Sequence, residues 1–198
     1  MRRALALVPG LWMPAAAMAL LARRLPGYEA HVFAYRGRQP YEENVEALAA
    51  FARGKACFVG HSLGGVLLLE MLNRHPEIEP QAVVLLGAPV RGCLAGRRFG
   101  RASLGRWMMG ACNPLWEERE ARWQRGAPLG IVAGTLPMGL GRALGALPGP
   151  NDGVVCVNET TVEGMTDRAL VRRGHSMLIA SGDVASMVAR FLAEGRFS

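Results

Sequence analysis

Short apolar runs alternate with segments of helical periodicity along the chain, and this alternation limits the folds that the chain can adopt. The runs that predict strands are Ala4 to Val8, His31 to Tyr35, Cys57 to Gly60, Ala82 to Leu86 and Gly130 to Ala133, with shorter candidates at 154–157 and 169–172. Helices are predicted over 14–25, 41–53, 63–73 and 184–192. Strands separated by such helices require parallel crossovers, so the sequence predicts a doubly wound α/β fold with a mostly parallel sheet of about six strands.

The length and net charge of the chain limit its domain organisation and its partners. We interpret residues 1–198 as one domain, because 198 residues leave no room for a second independent core. The net charge of +7 comes almost entirely from arginine, since Lys55 is the only lysine. The arginines are scattered and accompany no recognised nucleic-acid motif, so we expect no nucleic-acid partner, while transient contact with an anionic membrane surface stays open. No apolar run reaches the 18 residues that a membrane span needs.

The cysteines and the N-terminal segment indicate the cellular compartment in which the protein is found. The cysteines are Cys57, Cys93, Cys112 and Cys156. They form no C-x-x-C pair, which favours free thiols in a reducing compartment and predicts a cytoplasmic protein. The N-terminal segment superficially imitates a secretory signal, but Pro9 interrupts its apolar run and its removal would delete a strand, so we interpret it as part of the fold. No cluster of metal ligands has suitable spacing, and we expect no cofactor.

The regular alternation is lost between Val90 and Pro128. This segment combines arginines with aromatic and methionine side chains, including Arg91, Arg97, Arg98, Arg101, Arg106, Phe99, Trp107, Met108, Met109, Trp116 and Trp123. It lies between the fourth and fifth predicted strands. Two interpretations remain open: a small cap or lid over a pocket, or an ordinary pair of crossover helices with a solvated arginine face.

A G-x-S-x-G run lies where a predicted strand turns into a predicted helix. Gly60 and Gly64 lack Cβ atoms and therefore permit a tight turn that exposes the Ser62 hydroxyl at the carboxyl edge of the sheet. A serine held in this way is a candidate nucleophile. The N–H of Leu63, at the start of the helix, points to where an oxyanion would form.

A serine nucleophile needs a base and an acid to activate it. His175 is the candidate base, because it follows the last predicted strand and the chain order serine, acid, histidine requires a late histidine, whereas the side chain of His61 should point away from the serine. Asp152 lies between the fifth strand and His175 and is the candidate acid, although Asn-Asp-Gly is also common turn chemistry. Asp167 and Asp183 better fit a polar turn and a helix start.

The loop after the first strand supplies the remaining candidates. The N–H of Leu11 is a candidate second oxyanion donor. Trp12 is a candidate wall of an acyl pocket, and a buried core tryptophan is an equally consistent interpretation.

These segments together resemble a known family. The run Gly60 to Gly65 resembles the elbow of bacterial lipases and esterases of the α/β-hydrolase superfamily, and Leu147 to Val155 and Gly174 to Ser176 are similar to the acid and histidine segments of small bacterial lipase-like hydrolases. The resemblance covers most of the chain and is weakest between residues 90 and 128. Many members open the oxyanion loop with His-Gly, whereas this chain has Pro9-Gly10.

The resemblance implies a minimal α/β-hydrolase fold without the usual N-terminal hairpin. It implies a Ser62, Asp152 and His175 triad, with Leu11 and Leu63 as oxyanion donors. The expected activity is cleavage of a small ester or lipid through an acyl-enzyme, with apolar residues at the mouth suggesting an apolar acyl group. Two alternatives stay open: an acyltransferase or thioesterase with the same triad, and a non-catalytic protein that binds a lipid or another partner.

Overall fold

A parallel sheet forms the centre of the molecule in the computed structural model, which describes residues 2–35, 39–138 and 145–198. The strands of these residues are β1 (Arg3–Val8), β2 (Tyr28–Val32), β3 (Cys57–His61), β4 (Ala82–Leu86), β5 (Leu129–Gly134) and β6 (Asp167–Val171). They form a six-stranded sheet in the order β2-β1-β3-β4-β5-β6, and every neighbouring pair is parallel. The predicted fold class and strand number are therefore confirmed.

Helices cover both faces of this sheet. They are α1 (Ala15–Ala22), α2 (Tyr41–Ala52), α3 (Leu63–Arg74), α4 (Leu94–Arg101), α5 (Ser103–Met109) and α6 (Gly182–Glu194). Short 3₁₀ helices cover Gly110–Trp116, Val157–Thr160 and His175–Leu178. Among the described helices, none is both long and apolar enough to cross a membrane.

Side chains of the central strands alternate between two buried layers. Leu5 and Leu7 of β1 face the layer that contains α1 and α6, where Phe191 is fully buried. Ala6 and Val8 face the opposite layer, which contains α2 and α3. Because both faces are covered, these strands appear in the sequence as continuous apolar runs.

Two predicted strands differ from those observed. The second was predicted over residues 31–35, but β2 begins at Tyr28, which pairs with Arg3. As an edge strand, β2 includes the polar residues Glu29 and His31, and these hid its start. The candidate at 154–157 is wrong, because Cys156 makes only an isolated bridge to Asn151 before a 3₁₀ helix begins.

The segment at 90–128 contributes to the core. It forms α4, α5 and a 3₁₀ helix, and Met109, Trp116 and Trp123 are buried in the layer of α2 and α3. The packing is close, since a Cβ atom added to Gly96 of α4 would lie 2.7 Å from the Trp116 ring. Its function as a cap or lid remains a prediction.

The strand order determines where loops can meet. The chain passes from β1 outward to β2 and then returns to place β3 on the other side of β1. At such a switch point the loops leaving β1 and β3 diverge and leave a crevice at the carboxyl edge of the sheet. The loop that begins at Pro9 and the turn at Ser62 border this crevice.

Candidate active site

Ser62 lies in the sharp turn between β3 and α3. Its backbone has φ 53° and ψ −128°, a conformation that a non-glycine residue adopts only when its surroundings enforce it. The enforcing contacts include the Ser62 N–H, which donates to the Leu86 carbonyl at 2.9 Å, and the Gly65 N–H, which donates to the Ser62 carbonyl at 3.0 Å. The strained turn is the geometry that the G-x-S-x-G run predicts.

The glycines around Ser62 permit close backbone contacts. A Cβ atom on Gly60 would lie 2.5 Å from the Gly65 Cα atom, and one on Gly64 would overlap the Pro9 carbonyl oxygen. Real Cβ atoms do not approach other atoms so closely, so no larger residue fits either position without a backbone shift. The turn therefore packs directly against the end of β1.

His175 bridges Ser62 and Asp152. It begins the 3₁₀ helix after β6, and its Nε2 atom lies 2.9 Å from Ser62 Oγ. Its Nδ1 atom lies 2.7 Å from Asp152 Oδ2. Since an ionised carboxylate only accepts, the Nδ1 atom carries the proton and donates it, which leaves the Nε2 lone pair to accept from the Ser62 hydroxyl.

Asp152 is buried, and its immediate surroundings hold it in place. Its Oδ1 atom accepts hydrogen bonds from the N–H groups of Val154 at 2.9 Å and Val155 at 2.7 Å, which leaves Oδ2 for His175. The Asp152 carbonyl also accepts from the His175 N–H at 2.9 Å. The carboxylate thus both closes a turn and binds the imidazole, and its role as the catalytic acid remains a prediction.

The other aspartates have separate partners. Asp167 accepts from the N–H groups of Arg168 and Phe197, both at 2.7 Å. Asp183, in the first turn of α6, accepts from Arg173 at 3.0 Å. Asp183 thus has the helix-start position that the sequence favoured, whereas Asp167 is the first residue of β6 and not part of a turn before it.

The contribution of His61 was not anticipated. Its Nε2 atom lies 3.1 Å from the His175 carbonyl oxygen, and its ring centroid lies 4.8 Å from that of His175. Burial, with a smaller effect from the neighbouring His175, lowers the pKa of His61 from 6.5 to about 3. The neutral ring therefore donates from Nε2 to the segment that carries the candidate base, while its buried Nδ1 atom has no hydrogen-bond partner among the described residues. The position of His61 next to the serine was the sequence signal for this role. Its partner, the His175 carbonyl, lies 114 residues away and could not be inferred from that position.

The two predicted oxyanion donors belong to segments next to Ser62. Leu63 is the first residue of α3, so its N–H has no carbonyl partner within the helix. Leu11 lies in a turn closed by the Met13 N–H and the Gly10 carbonyl at 3.2 Å. A Cβ atom on Gly10 would lie 3.0 Å from Ser62 Cβ, so this loop runs directly beside the serine. The sequence predicted this neighbourhood, and the donor role of each N–H remains a prediction.

Trp12 is not part of the core. Its side chain is 57% exposed, so the interpretation as a buried core tryptophan is wrong. The indole N–H donates to the Met108 carbonyl of α5 at 3.3 Å, and the ring meets Phe99 of α4 edge to face at a centroid distance of 5.9 Å. Trp12 also has a positive φ of 60°. It therefore joins the loop after β1 to the segment at 90–128.

The cysteine thiols of the described residues are buried. Among the residues that the structure describes, no group of three or more His, Cys, Asp or Glu side chains could hold a metal ion. Burial raises the pKa of the Cys93 and Cys156 thiols to about 12, so both are protonated at neutral pH. The Cys93 sulfur accepts from the Gly96 N–H at the start of α4, which is a structural role.

A sheet of this order with a serine at a strained strand-to-helix turn defines an α/β hydrolase. The model of the alpha/beta hydrolase family matches residues 5–194, and the chain belongs to that family. Membership of this family supports hydrolase activity. A search of curated proteins found no significant match.

Solved structures share the same fold. The mature lipase BlEst2 of Bacillus licheniformis is similar with a TM-score of 0.76 and 17% identity, over 97% of this chain and 91% of that chain. The RedJ thioesterase of the prodiginine pathway in Streptomyces coelicolor has a TM-score of 0.63 and 14% identity, over 98% and 90%. A lipase-esterase related protein of Clostridium acetobutylicum has a TM-score of 0.63 and 11% identity, over 96% and 93%.

Proposed function

We propose that this protein is a serine hydrolase that cleaves carboxylic esters through an acyl-enzyme intermediate. The observation that carries the proposal is the unbroken chain of hydrogen bonds from Ser62 Oγ through His175 to Asp152, at 2.9 and 2.7 Å. Nucleophile, base and orienting acid within hydrogen-bond reach are the requirement for an activated serine.

In the acylation step, Ser62 Oγ attacks the ester carbonyl carbon while His175 Nε2 takes the hydroxyl proton. The buried Asp152 carboxylate stabilises the imidazolium that forms and keeps the proton of the other ring nitrogen on Nδ1. The N–H groups of Leu11 and Leu63 bind the oxygen that becomes negative in the tetrahedral intermediate. When this intermediate collapses, the leaving alcohol takes the proton from His175.

Water completes the cycle. His175 Nε2 removes a proton from a water molecule, which attacks the acyl carbon, and the second tetrahedral intermediate uses the same two N–H donors. Collapse returns the proton to Ser62 Oγ and releases the acid. The exposed Trp12 ring beside the oxyanion loop supports a substrate with an apolar acyl group.

Labelling with a fluorophosphonate probe tests the nucleophile. We expect the native protein to be labelled at Ser62, and the Ser62→Ala variant to lose labelling and at least about 10⁴-fold of p-nitrophenyl ester turnover. Ser186→Ala is the matched control, because Ser186 is exposed on α6 and its hydroxyl donates to the helix carbonyl of Gly182. Unlabelled native protein would instead favour a non-catalytic binding protein.

Product analysis tests the acyl acceptor. With an added alcohol in the assay, a hydrolase releases mainly the free acid, whereas an acyltransferase forms a new ester faster than acid. A thioesterase would turn over an acyl thioester faster than the matching oxygen ester. Either of these outcomes would replace the ester hydrolase in the proposal and leave the roles of Ser62, His175 and Asp152 unchanged.

A further inference from the structure

The helices α4 and α5 carry a concentrated positive charge. Residues 94–109 contain Arg97, Arg98, Arg101 and Arg106 and no acidic residue. Arg101 lies four positions after Arg97 and three after Arg98, so it neighbours both of them on the helix surface. Together with Arg106 they line a cavity of about 570 Å³.

The groups around this cavity only partly neutralise it. Glu117 is the acidic residue of its described lining, and Glu118 accepts from Arg97 at 2.9 Å. Arg106 donates from Nη1 to the Arg101 carbonyl at 2.7 Å, and Arg98 donates from Nη1 to the Ala146 carbonyl at 2.9 Å. A guanidinium has five N–H donors in a planar fork, so an arginine that donates one or two bonds within the protein can also bind a phosphate.

Exposed apolar side chains lie next to the arginines. Leu104 and Trp107 of α5 are 63% and 64% exposed, and their spacing of three places them on one side of the helix. Trp107 precedes Met108, whose carbonyl accepts the indole N–H of the exposed Trp12. Three large apolar side chains are therefore exposed along α5 and the loop beside Ser62.

Apolar side chains of this kind beside a cluster of arginines are the pattern of a helix that lies in a lipid interface. Tryptophan prefers the level of the lipid headgroups, and arginine pairs with their phosphates. A free anionic metabolite would use the cavity, but it would give Leu104 and Trp107 no reason to be exposed. An anionic bilayer accounts for both features.

We propose that the pair α4–α5 docks on an anionic lipid surface, with Leu104 and Trp107 entering the headgroup boundary and the four arginines binding lipid phosphates. Docking in this orientation places Trp12, and with it the mouth of the site at Ser62, against the bilayer. The lipid surface is then where an apolar ester reaches the site. The surface itself does not depend on the reactivity of Ser62.

Sedimentation of the protein with vesicles tests this surface. We expect binding to vesicles of phosphatidylglycerol mixed with phosphatidylcholine, weak binding to phosphatidylcholine alone, and weaker binding to the mixed vesicles as salt is raised. The double variant Leu104→Ser, Trp107→Ser should lower the partition coefficient about tenfold or more. Arg101→Gln should lower it about fivefold, the effect of one arginine near an anionic surface.

Two control variants test whether binding is specific to the α4–α5 surface and independent of catalysis. Leu170→Ser removes a leucine of similar exposure, 52%, from the edge strand β6 and should bind vesicles like the native chain. Ser62→Ala should also bind normally, so failure of the esterase proposal leaves this test intact. Circular dichroism melting curves verify that each variant is folded. Any of three results would overturn the proposal: the protein does not bind anionic vesicles, it binds neutral vesicles equally well, or the folded double variant binds as the native chain does.

Discussion

The buried His61 ring predicts that the folded protein is sensitive to mild acid. In the folded state, burial lowers the pKa of His61 from 6.5 to about 3. In the unfolded chain the ring regains its ordinary pKa, so below pH 6.5 the unfolded state binds more protons than the folded state. The stability due to the neutral ring is therefore complete above pH 6.5 and is lost as the pH falls towards 3.

The size of the effect follows from the two pKa values. Each pH unit between them is worth about 1.4 kcal/mol, so the loss reaches about 4 kcal/mol at pH 3 and about 2 kcal/mol at pH 5. A domain of this size is stable by only about 5–15 kcal/mol, and the loss at pH 5 is therefore a measurable share of the total.

Urea unfolding followed by circular dichroism at pH 7.5 and pH 5 measures this loss. The comparison variant is His61→Gln, which does not titrate and whose amide can donate to the His175 carbonyl in place of Nε2. The other ionisable groups are common to both proteins, so their contributions cancel in the difference. We expect the native chain to lose about 2 kcal/mol more than the variant between the two pH values.

Equal losses in the two proteins would refute the argument. The folded His61 would then have a pKa near its ordinary value. The inference that a buried, neutral His61 ring donates to His175 would be wrong. A variant that is less stable than the native chain by the same amount at both pH values would also refute the argument. A stability difference that does not change with pH reports packing and not protonation.

Further predictions concern other parts of the fold. Asp152→Asn should lower kcat about 10⁴-fold with an unchanged circular dichroism spectrum, because the amide favours the wrong His175 tautomer; near-native turnover would contradict this role. Gly64→Ala should lower the free energy of unfolding by about 3 kcal/mol in urea titrations, since its Cβ would overlap the Val8 carbonyl oxygen, and a neutral effect would argue against this packing. The buried Cys93 thiol, with its pKa raised to about 12, should react with a disulfide reagent only after denaturation, and labelling of this residue as fast as in urea would show that it is accessible.

Local sequence pattern was enough to predict most of the strands, the helices α1, α2, α3 and α6, and the elbow. The apolar runs of β1, β3, β4 and β5 are buried on both faces, and such runs keep their character whatever surrounds them. The turn at Ser62 was predictable because its glycines meet a steric demand between neighbours in the chain. The edge strand β2 was misplaced, since one side of an edge tolerates polar residues and weakens the pattern.

Contacts across long sequence distances were decided by the tertiary structure. Chain order favoured His175 and Asp152, but the strand order of the sheet is what brings His175 within 2.9 Å of Ser62, which lies 113 residues earlier. The same holds for the bond from His61 to the His175 carbonyl and for the docking of Trp12 on α5. Sequence periodicity reports which side of an element is buried, but not which element covers it, so these partners follow only from how the layers pack.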